Sequence, residues 1–344
     1  MYDALSIIQA VVPDISATFT QRLLILQTLK EFSRPVGRRT LAKAVDLSER
    51  QLRTVIDIMR ENRLVNVSNL GIELSEYGEQ LLLQIDFHWD EAKRLADKQE
   101  QLKQMLGIER CDIVPGDADL DKAVYSYLSQ VIQQILQQQL PADEAVVAVT
   151  GGSTLAQVGQ GFNDSLSKNR HITFIPARGG VGGSYRIQSN SVAGLMAQQT
   201  NGHYIPLFLP EKLEEYTADL LLKDPNIQSI IDQSKNADCL ILSVGAADVM
   251  AKRRLMTQAQ YQYLKDNHAV GEAFGIFYNQ KGEEVMRLPR YGMVLDDLKR
   301  IPLLLTVVAG ASKARAVESY FKLAPNHSWL ICDEGVANRI LQSH

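Results

Sequence analysis

The segment Thr150-Gly151-Gly152-Ser153-Thr154-Leu155 joins a strand-forming run to a run with helical spacing, and it has the composition of an anion cradle. Glycine lets backbone approach a ligand closely, hydroxyls donate hydrogen bonds, and a helix start offers N–H groups that no carbonyl satisfies. A second loop, Pro176-Ala177-Arg178-Gly179-Gly180-Val181-Gly182-Gly183-Ser184, sets a cation beside glycine-rich backbone. A third, Val244-Gly245-Ala246-Ala247-Asp248, leads to Arg253 and Arg254, and a fourth, Ala309-Gly310-Ala311-Ser312-Lys313, ends in a lysine. None matches a nucleotide-binding fingerprint. The first lacks the Gly-Lys-Ser/Thr of a P-loop, and Tyr185 stands where a G-x-G-x-x-G beginning at Gly180 needs its last glycine. Any one of these loops could be a plain glycine-bearing connection. Together they suggest a ligand with two anionic groups, or one phosphate and a sugar.

Loops of this kind bind ligands when they follow the carboxyl ends of parallel strands. From about residue 144 the chain supplies such strands as apolar runs at Ala145 to Val149, Ile172 to Pro176, Tyr204 to Leu209, Cys239 to Val244, Leu303 to Val308 and Trp329 to Cys332. Segments with helical period lie between most of them, around 153–165, 190–200, 211–222, 257–265, 312–322 and 334–342. This alternation predicts an α/β fold with a doubly wound, largely parallel sheet covered on both faces. Glu272 to Met286, with its turn at Gln280-Lys281-Gly282, reads as an inserted hairpin.

Residues 1–88 read differently. Leu23, Leu24, Leu26, Leu29 and Phe32 recur at helical spacing until Pro35. Thr40 is placed to cap a short helix, Ser48 caps a second, and a hairpin turning at Asn69 to Gly71 follows. Helix, turn, helix and hairpin form a winged helix-turn-helix, with Asp46 where its turn commonly has glycine. Arg34, Arg38, Arg39, Lys43, Arg50, Arg53, Arg60 and Arg63 make this stretch basic inside a chain of net charge -4. Arg50, Gln51, Arg53 and Thr54 are placed to meet bases and phosphates, and Arg38, Arg39 and Thr40 to meet phosphates of double-stranded operator DNA. A basic, solvated three-helix packing module is the alternative. Residues 77–106 read as a long connecting helix, and the Gln-rich run Gln130 to Gln139 as an amphipathic one.

Composition narrows the remaining classes. Hydrophobic residues at 45% and charged residues at 22% suit a folded chain of 344 residues, long enough for two domains, here 1–88 and 89–344. No apolar run reaches the ~18 residues of a membrane span, and Met1-Tyr2-Asp3-Ala4 has no basic n-region, so a cytoplasmic location is expected. Cys111, Cys239 and Cys332 have no metal or redox spacing, so neither a metal nor a cofactor is expected.

The chain resembles the SorC family of bacterial sugar-responsive regulators. The resemblance rests on Val36 to Leu41, the Gly-Gly-Ser-Thr loop, Pro176 to Gly180, Ala251 to Arg254, Val270 to Gly275, Gly292 to Asp297 and Ala309 to Ala314, spread over almost the full length. It implies a repressor of a glycolytic operon, induced by fructose 1,6-bisphosphate or a related sugar phosphate, with a ligand domain similar in fold to sugar-phosphate isomerases and deaminases. By matching position it implies a phosphate cradle of Gly152, Ser153, Thr154 and Leu155 assisted by Lys313. Arg178, Gln188, Arg253 and Arg254 would hold the other phosphate and sugar hydroxyls, and Glu272 would accept from the sugar. Ser153 replaces the threonine that relatives often carry, and Ala309 and Ala311 replace glycine or serine. A homo-oligomer, dimer or tetramer, is expected, because paired half-sites need two reading heads.

The rival is a sugar-phosphate isomerase or deaminase with an accessory DNA-binding domain. That chemistry needs a general base beside the sugar carbon and an acid partner. Asp248 could be the base, but no histidine lies at a spacing that would partner it, and no catalytic residue is assigned.

Overall fold

The computed structural model of the chain describes residues 13–32, 34–179, 184–209, 215–289 and 291–344. It forms two compact units that divide between Arg94 and Leu95. The amino-terminal unit runs α1 (Pro13–Glu31), α2 (Arg38–Ala44), α3 (Glu49–Glu61), β1 (Val65–Ser68), β2 (Gly71–Leu74) and α4 (Glu76–Leu106). Helix α4 spans 31 residues, and both the division at 94/95 and the expected boundary at 88/89 fall inside it.

Leu41, Ala42 and Val45 of the α2 segment pack with Leu52, Ile56 and Met59 of α3 against Ile25, Leu26 and Leu29 of α1. Ser48 caps α3 in a capping box: its hydroxyl accepts from the Gln51 N–H, and the Gln51 side chain accepts from the Ser48 N–H. Asp46 occupies the left-handed region at φ 51°, so the turn keeps its shape without glycine. Thr40 is not a cap. The Leu41 N–H already donates to the Gly37 carbonyl at 3.0 Å, so the helix starts from an extended Gly37 and Thr40 lies within its first turn. Between β1 and β2 a two-residue turn ends at Gly71, whose φ of 137° and a Cβ position 2.6 Å from the Val36 carbonyl oxygen leave room only for glycine.

The second unit adds β3 (Arg110–Val114), α5 (Val124–Gln139), β4 (Glu144–Val149), α6 (Ser153–Gln160), β5 (His171–Pro176), α7 (Ser189–Thr200), β6 (His203–Tyr204), α8 (Glu215–Leu221) and α9 (Pro225–Lys235). It continues with β7 (Cys239–Leu242), β8 (Gly245–Ala246), α10 (Ala247–Arg253), α11 (Gln258–Asp266), β9 (Ala269–Ala273), β10 (Ile276–Asn279) and β11 (Glu284–Arg287). It ends with β12 (Leu303–Val308), α12 (Ala314–Tyr320), β13 (Ser328–Asp333) and α13 (Glu334–Leu341).

Seven parallel strands form one sheet in the order β3-β13-β12-β7-β4-β5-β6. The pleat sends alternate residues to opposite faces. Val147, Val149, Ile241, Leu305 and Ile331 meet α5, α6 and α7 on one side. Ala148, Leu240, Leu242, Leu304 and Leu330 meet α12, α13 and the end of α4 on the other. Both faces are covered, as the continuous apolar runs predict.

Three differences from the sequence reading matter. Strand β3 was not expected, because Arg110 and Asp112 interrupt its apolar pattern; the two form a bidentate pair at 2.7 and 3.1 Å and leave Cys111 and Ile113 to the core. Tyr204 to Leu209 contributes only the last residue of a two-residue strand. The expected hairpin is part of a separate antiparallel sheet, β11-β10-β9-β8, and Glu272 lies on β9 beside Gly245 rather than on the hairpin itself. Gly180 to Gly183 and residues 211–214 of an expected helix lie outside the described residues.

Replacing Ser48 by Ala removes the α3 cap and should cost the amino-terminal unit about 1 kcal/mol. Thermal unfolding of residues 1–94 measures this, and an unchanged midpoint would show that the box carries no stability.

Candidate functional site

The winding of the large sheet reverses between β4 and β7. From β4 the chain proceeds outward to β5 and β6, then returns to β7 on the other flank of β4 and proceeds to β12 and β13. At such a point the two loops diverge and leave a crevice beyond the carboxyl ends of the strands. The four loops singled out from the sequence follow β4, β5, β7 and β12, which are neighbours in the order β12-β7-β4-β5. They line a cavity of about 240 Å³.

Gly152, with φ 137°, turns the chain from β4 into α6. Its own N–H donates to the Ile187 carbonyl, and its carbonyl accepts from the Ala156 N–H. The N–H groups of Ser153, Thr154 and Leu155 therefore form the open first turn of the helix. Two cations reach this turn. Arg253 Nη2 donates to Ser153 Oγ at 3.1 Å, and Lys313 Nζ donates to Thr154 Oγ1 at 2.6 Å. Amides, hydroxyls, a guanidinium and an ammonium converge on one spot, which is the donor set of an anion site. Burial, reinforced by Arg253 and opposed chiefly by Asp119, pulls the Lys313 ammonium down to about 8.

Arg253 closes α10 and Arg254 follows it, so the two side chains diverge by the ~100° between successive helical positions. Arg253 faces the α6 turn, while Arg254 Nη2 pairs with Glu272 Oε1 at 2.7 Å, both side chains being 3% exposed. The same Glu272 oxygen accepts from the Gly275 N–H at 2.7 Å. That bond holds a tight turn in which Phe274 and Gly275 both have positive φ, and it keeps Phe274 in the cavity wall. Arg178 is positioned from outside β5. Residues 291–293 run antiparallel to it, with Met293 N–H donating to Ala177 O and Gly179 N–H to Tyr291 O. A Cβ on Gly292 would lie 2.7 Å from Arg178 Cα, so only glycine permits this approach.

Of the expected ligand residues, Gly152, Ser153, Thr154, Arg178, Arg253, Arg254, Glu272 and Lys313 line the cavity. Leu155 and Gln188 do not. The Leu155 side chain is fully buried in the core, which leaves only its N–H for a ligand, and Gln188 links a short 3-10 turn to α7 beside the lining residue Ile187. The wall also contains Thr150 and Ser312, which belong to the loops named from the sequence, and Ser243 and Met250, which sequence reasoning did not single out. Ser243 was discoverable as the residue following β7, and its N–H donates to Thr150 Oγ1 at 3.2 Å. Asp248 stands exposed in the lining, and no histidine lies among the described lining residues.

In the amino-terminal unit Arg38, Arg39, Thr40, Arg50, Gln51, Arg53 and Thr54 are all exposed. They cluster at the starts of α2 and α3. Arg39 Nε pairs with Glu49 Oε1 at 2.8 Å, which ties the two helices at that end.

An exposed basic helix start on a winged helix and a cavity with the polarity of a phosphate site define a two-unit, ligand-binding transcriptional regulator. Comparison with known proteins bears this out. Residues 18–87 match the CggR N-terminal DNA binding domain family, and residues 90–342 match a sugar-binding domain family. The central glycolytic genes regulator of Bacillus subtilis is 33% identical over 330 residues, 96% of either chain. Its counterpart in Priestia megaterium is 32% identical over 342 residues, 99% of either chain. The crystal structure of a SorC family transcriptional regulator from Enterococcus faecalis shares 39% identity at a TM-score of 0.68, covering 71% of this chain and 99% of that one. The chain belongs to the SorC family of transcriptional regulators. These relatives are regulators of transcription rather than enzymes, and the isomerase or deaminase reading is set aside. Among the described residues no helix is long and apolar enough to cross a membrane.

Changing Glu272 to Gln leaves the Arg254 charge buried without its carboxylate. The expected loss is about 3 kcal/mol from the second unit, read as a lower urea midpoint for residues 95–344; an unchanged midpoint contradicts the pairing.

Proposed function

We propose that the protein is a cytoplasmic repressor of a glycolytic operon, and that fructose 1,6-bisphosphate or a closely related sugar bisphosphate releases it from its operator. The observation that carries this reading is the convergence of Arg253 and Lys313 on the open first turn of α6. One phosphate would sit there, held by the N–H groups of Ser153, Thr154 and Leu155 and by both cations. Arg178, Arg254 and Glu272, further round the same wall, are suited to a second anionic group and to sugar hydroxyls. Arg178 lies on the same wall as the α6 turn, a second cationic position that suits a bisphosphate. Gln188 could join only from the rim.

Residues 1–88 would read DNA through Arg50, Gln51, Arg53 and Thr54, with Arg38, Arg39 and Thr40 on phosphates, and residues 89–344 would sense the sugar and form the dimer or tetramer. Repression is relieved only if the effector binds the DNA-incompetent arrangement more tightly.

Two substitutions separate these roles. Arg53→Ala should weaken operator binding by about 1–3 kcal/mol and leave effector affinity unchanged. Arg253→Ala should do the reverse and yield a repressor deaf to the bisphosphate. Titration calorimetry and DNA anisotropy distinguish them, and an Arg253→Ala protein that still responds normally would place the effector elsewhere.

The pH dependence has a definite sign. With the cavity empty, Lys313 releases its proton near pH 8. A phosphate beside it holds that proton to higher pH, so binding takes up a proton in this range and affinity falls as pH rises above about 8. The affinity of Lys313→Met for the bisphosphate should be lower and should lack this fall. A parallel decline in both proteins would exclude Lys313 as its source.

A further inference from the structure

The loop that carries Lys313 into the cavity has its backbone donors committed elsewhere. Gly310 N–H donates to Asp333 Oδ2 at 2.7 Å, Ala311 N–H to Asp117 Oδ1 at 3.2 Å and Ser312 N–H to Asp119 Oδ2 at 2.9 Å. Three carboxylates thus occupy the place an anionic ligand would take, and the loop meets a ligand through side chains alone. Asp333 is fully buried at the end of β13. Besides Gly310 it accepts from the Ala118 N–H at 2.7 Å and from the Val336 N–H at 3.0 Å, the latter as the cap of α13. One carboxylate therefore joins the Lys313 loop, the loop after β3 and the start of α13.

The next residue continues the connection. Glu334 accepts from Lys98 Nζ at 2.5 Å, and Asn338, one turn along α13, accepts from the same ammonium at 2.7 Å. Lys98 lies on α4, and its neighbour Gln99 accepts from the Ile113 N–H of β3 at 2.9 Å. Leu95, Leu102 and Leu106 pack on the core along the same side of the helix. Both the α13 route and the β3 route end on one turn of α4, the helix whose chain leads back to the DNA-reading residues.

Resting on the reading of the cavity as the effector site, we infer that the contact of Lys98 with Glu334 and Asn338 is the joint that passes effector occupancy to α4. Asp333 acts as the positioning residue on the cavity side. Anion binding draws Lys313 and its loop inward. Because the donors on Asp333 are buried, no water can replace them, and the loop moves only by carrying the α13 start with it. Glu334 then shifts against Lys98, and the effector acquires a differential interaction with two arrangements of α4, which any allosteric effect requires.

The test uses the full chain and an operator selected by the unaltered protein from random duplexes. Operator affinity is measured with and without fructose 1,6-bisphosphate, and bisphosphate affinity is measured separately without DNA. The bisphosphate should shift operator affinity of the unaltered protein by about 5- to 150-fold, and Lys98→Met should reduce that shift to about twofold while bisphosphate affinity stays within about twofold. Lys98→Arg, which keeps the charge, should restore most of the shift. If Lys98→Met fails to fold, Glu334→Gln serves in its place with the same expectations, and collapse of both means that the contact is purely structural and overturns the inference. An undiminished shift in Lys98→Met, or loss of bisphosphate binding in that variant, overturns it as well. No response of the unaltered protein overturns the effector reading and this joint with it.

Discussion

The open first turn of α6 is the constraint on which the rest of the second unit depends. A helix start holds donors that its own carbonyls cannot satisfy, and they need either water or an anion. The sheet places this start at the one position where neighbouring loops part, between β4 and β7. The elements that converge on it, α10 with Arg253 and the loop after β12 with Lys313, belong to the other half of the winding. Had the strands followed one another in order across the sheet, those cations could not have met the Gly-Gly-Ser-Thr turn.

Burying an ammonium in the cavity wall costs the protein stability, and the proton affinity of Lys313, lowered first by burial, is its direct expression. The structure limits that cost unevenly. Arg254 is matched by a buried carboxylate, whereas Arg253 and Lys313 rest on hydroxyls, which orient them without neutralising them. Carboxylates do lie close to Lys313, yet Asp117, Asp119 and Asp333 are engaged with backbone N–H groups. On the proposed reading, a phosphate would restore the charge compensation that burial takes from Lys313, and its binding would stabilise the native state by mass action.

Much of this was legible in the sequence. The four loops were readable because glycine, hydroxyl and cation fall between strand-like and helix-like runs, and the core strands because both their faces are apolar. Helices α9 and α10 and the strand β3 were not. Both helices are short, α9 showing its apolar stripe in only three isoleucines, and β3 is a strand whose alternating charges Arg110 and Asp112 mask its apolar pattern by pairing with each other. Asp333 was missed for a different reason. Its position between an apolar run and a helical one marks it as a helix cap, but capping uses one oxygen. The partners of the other, Ala118 and Gly310, are distant in sequence, and only the folded sheet brings them together. The same holds for Gly292, whose need for glycine arises from Arg178, a residue far away along the chain.

The reading helix carries its own restriction. A bidentate grip on adenine asks a glutamine to accept with its oxygen and donate with its nitrogen. Both lone pairs of Gln51 Oε1 are taken by the Ser48 N–H and hydroxyl. Turning Gln51 toward a base would open the capping box and give up about 1 kcal/mol of helix stability. Arg50 and Arg53 have no such local tie among the described contacts, and they flank Gln51 on the exposed face at the amino end of α3. If α3 reads bases as proposed, Arg50 and Arg53 could reach guanines with the capping box closed, whereas a base contact by Gln51 would have to open it.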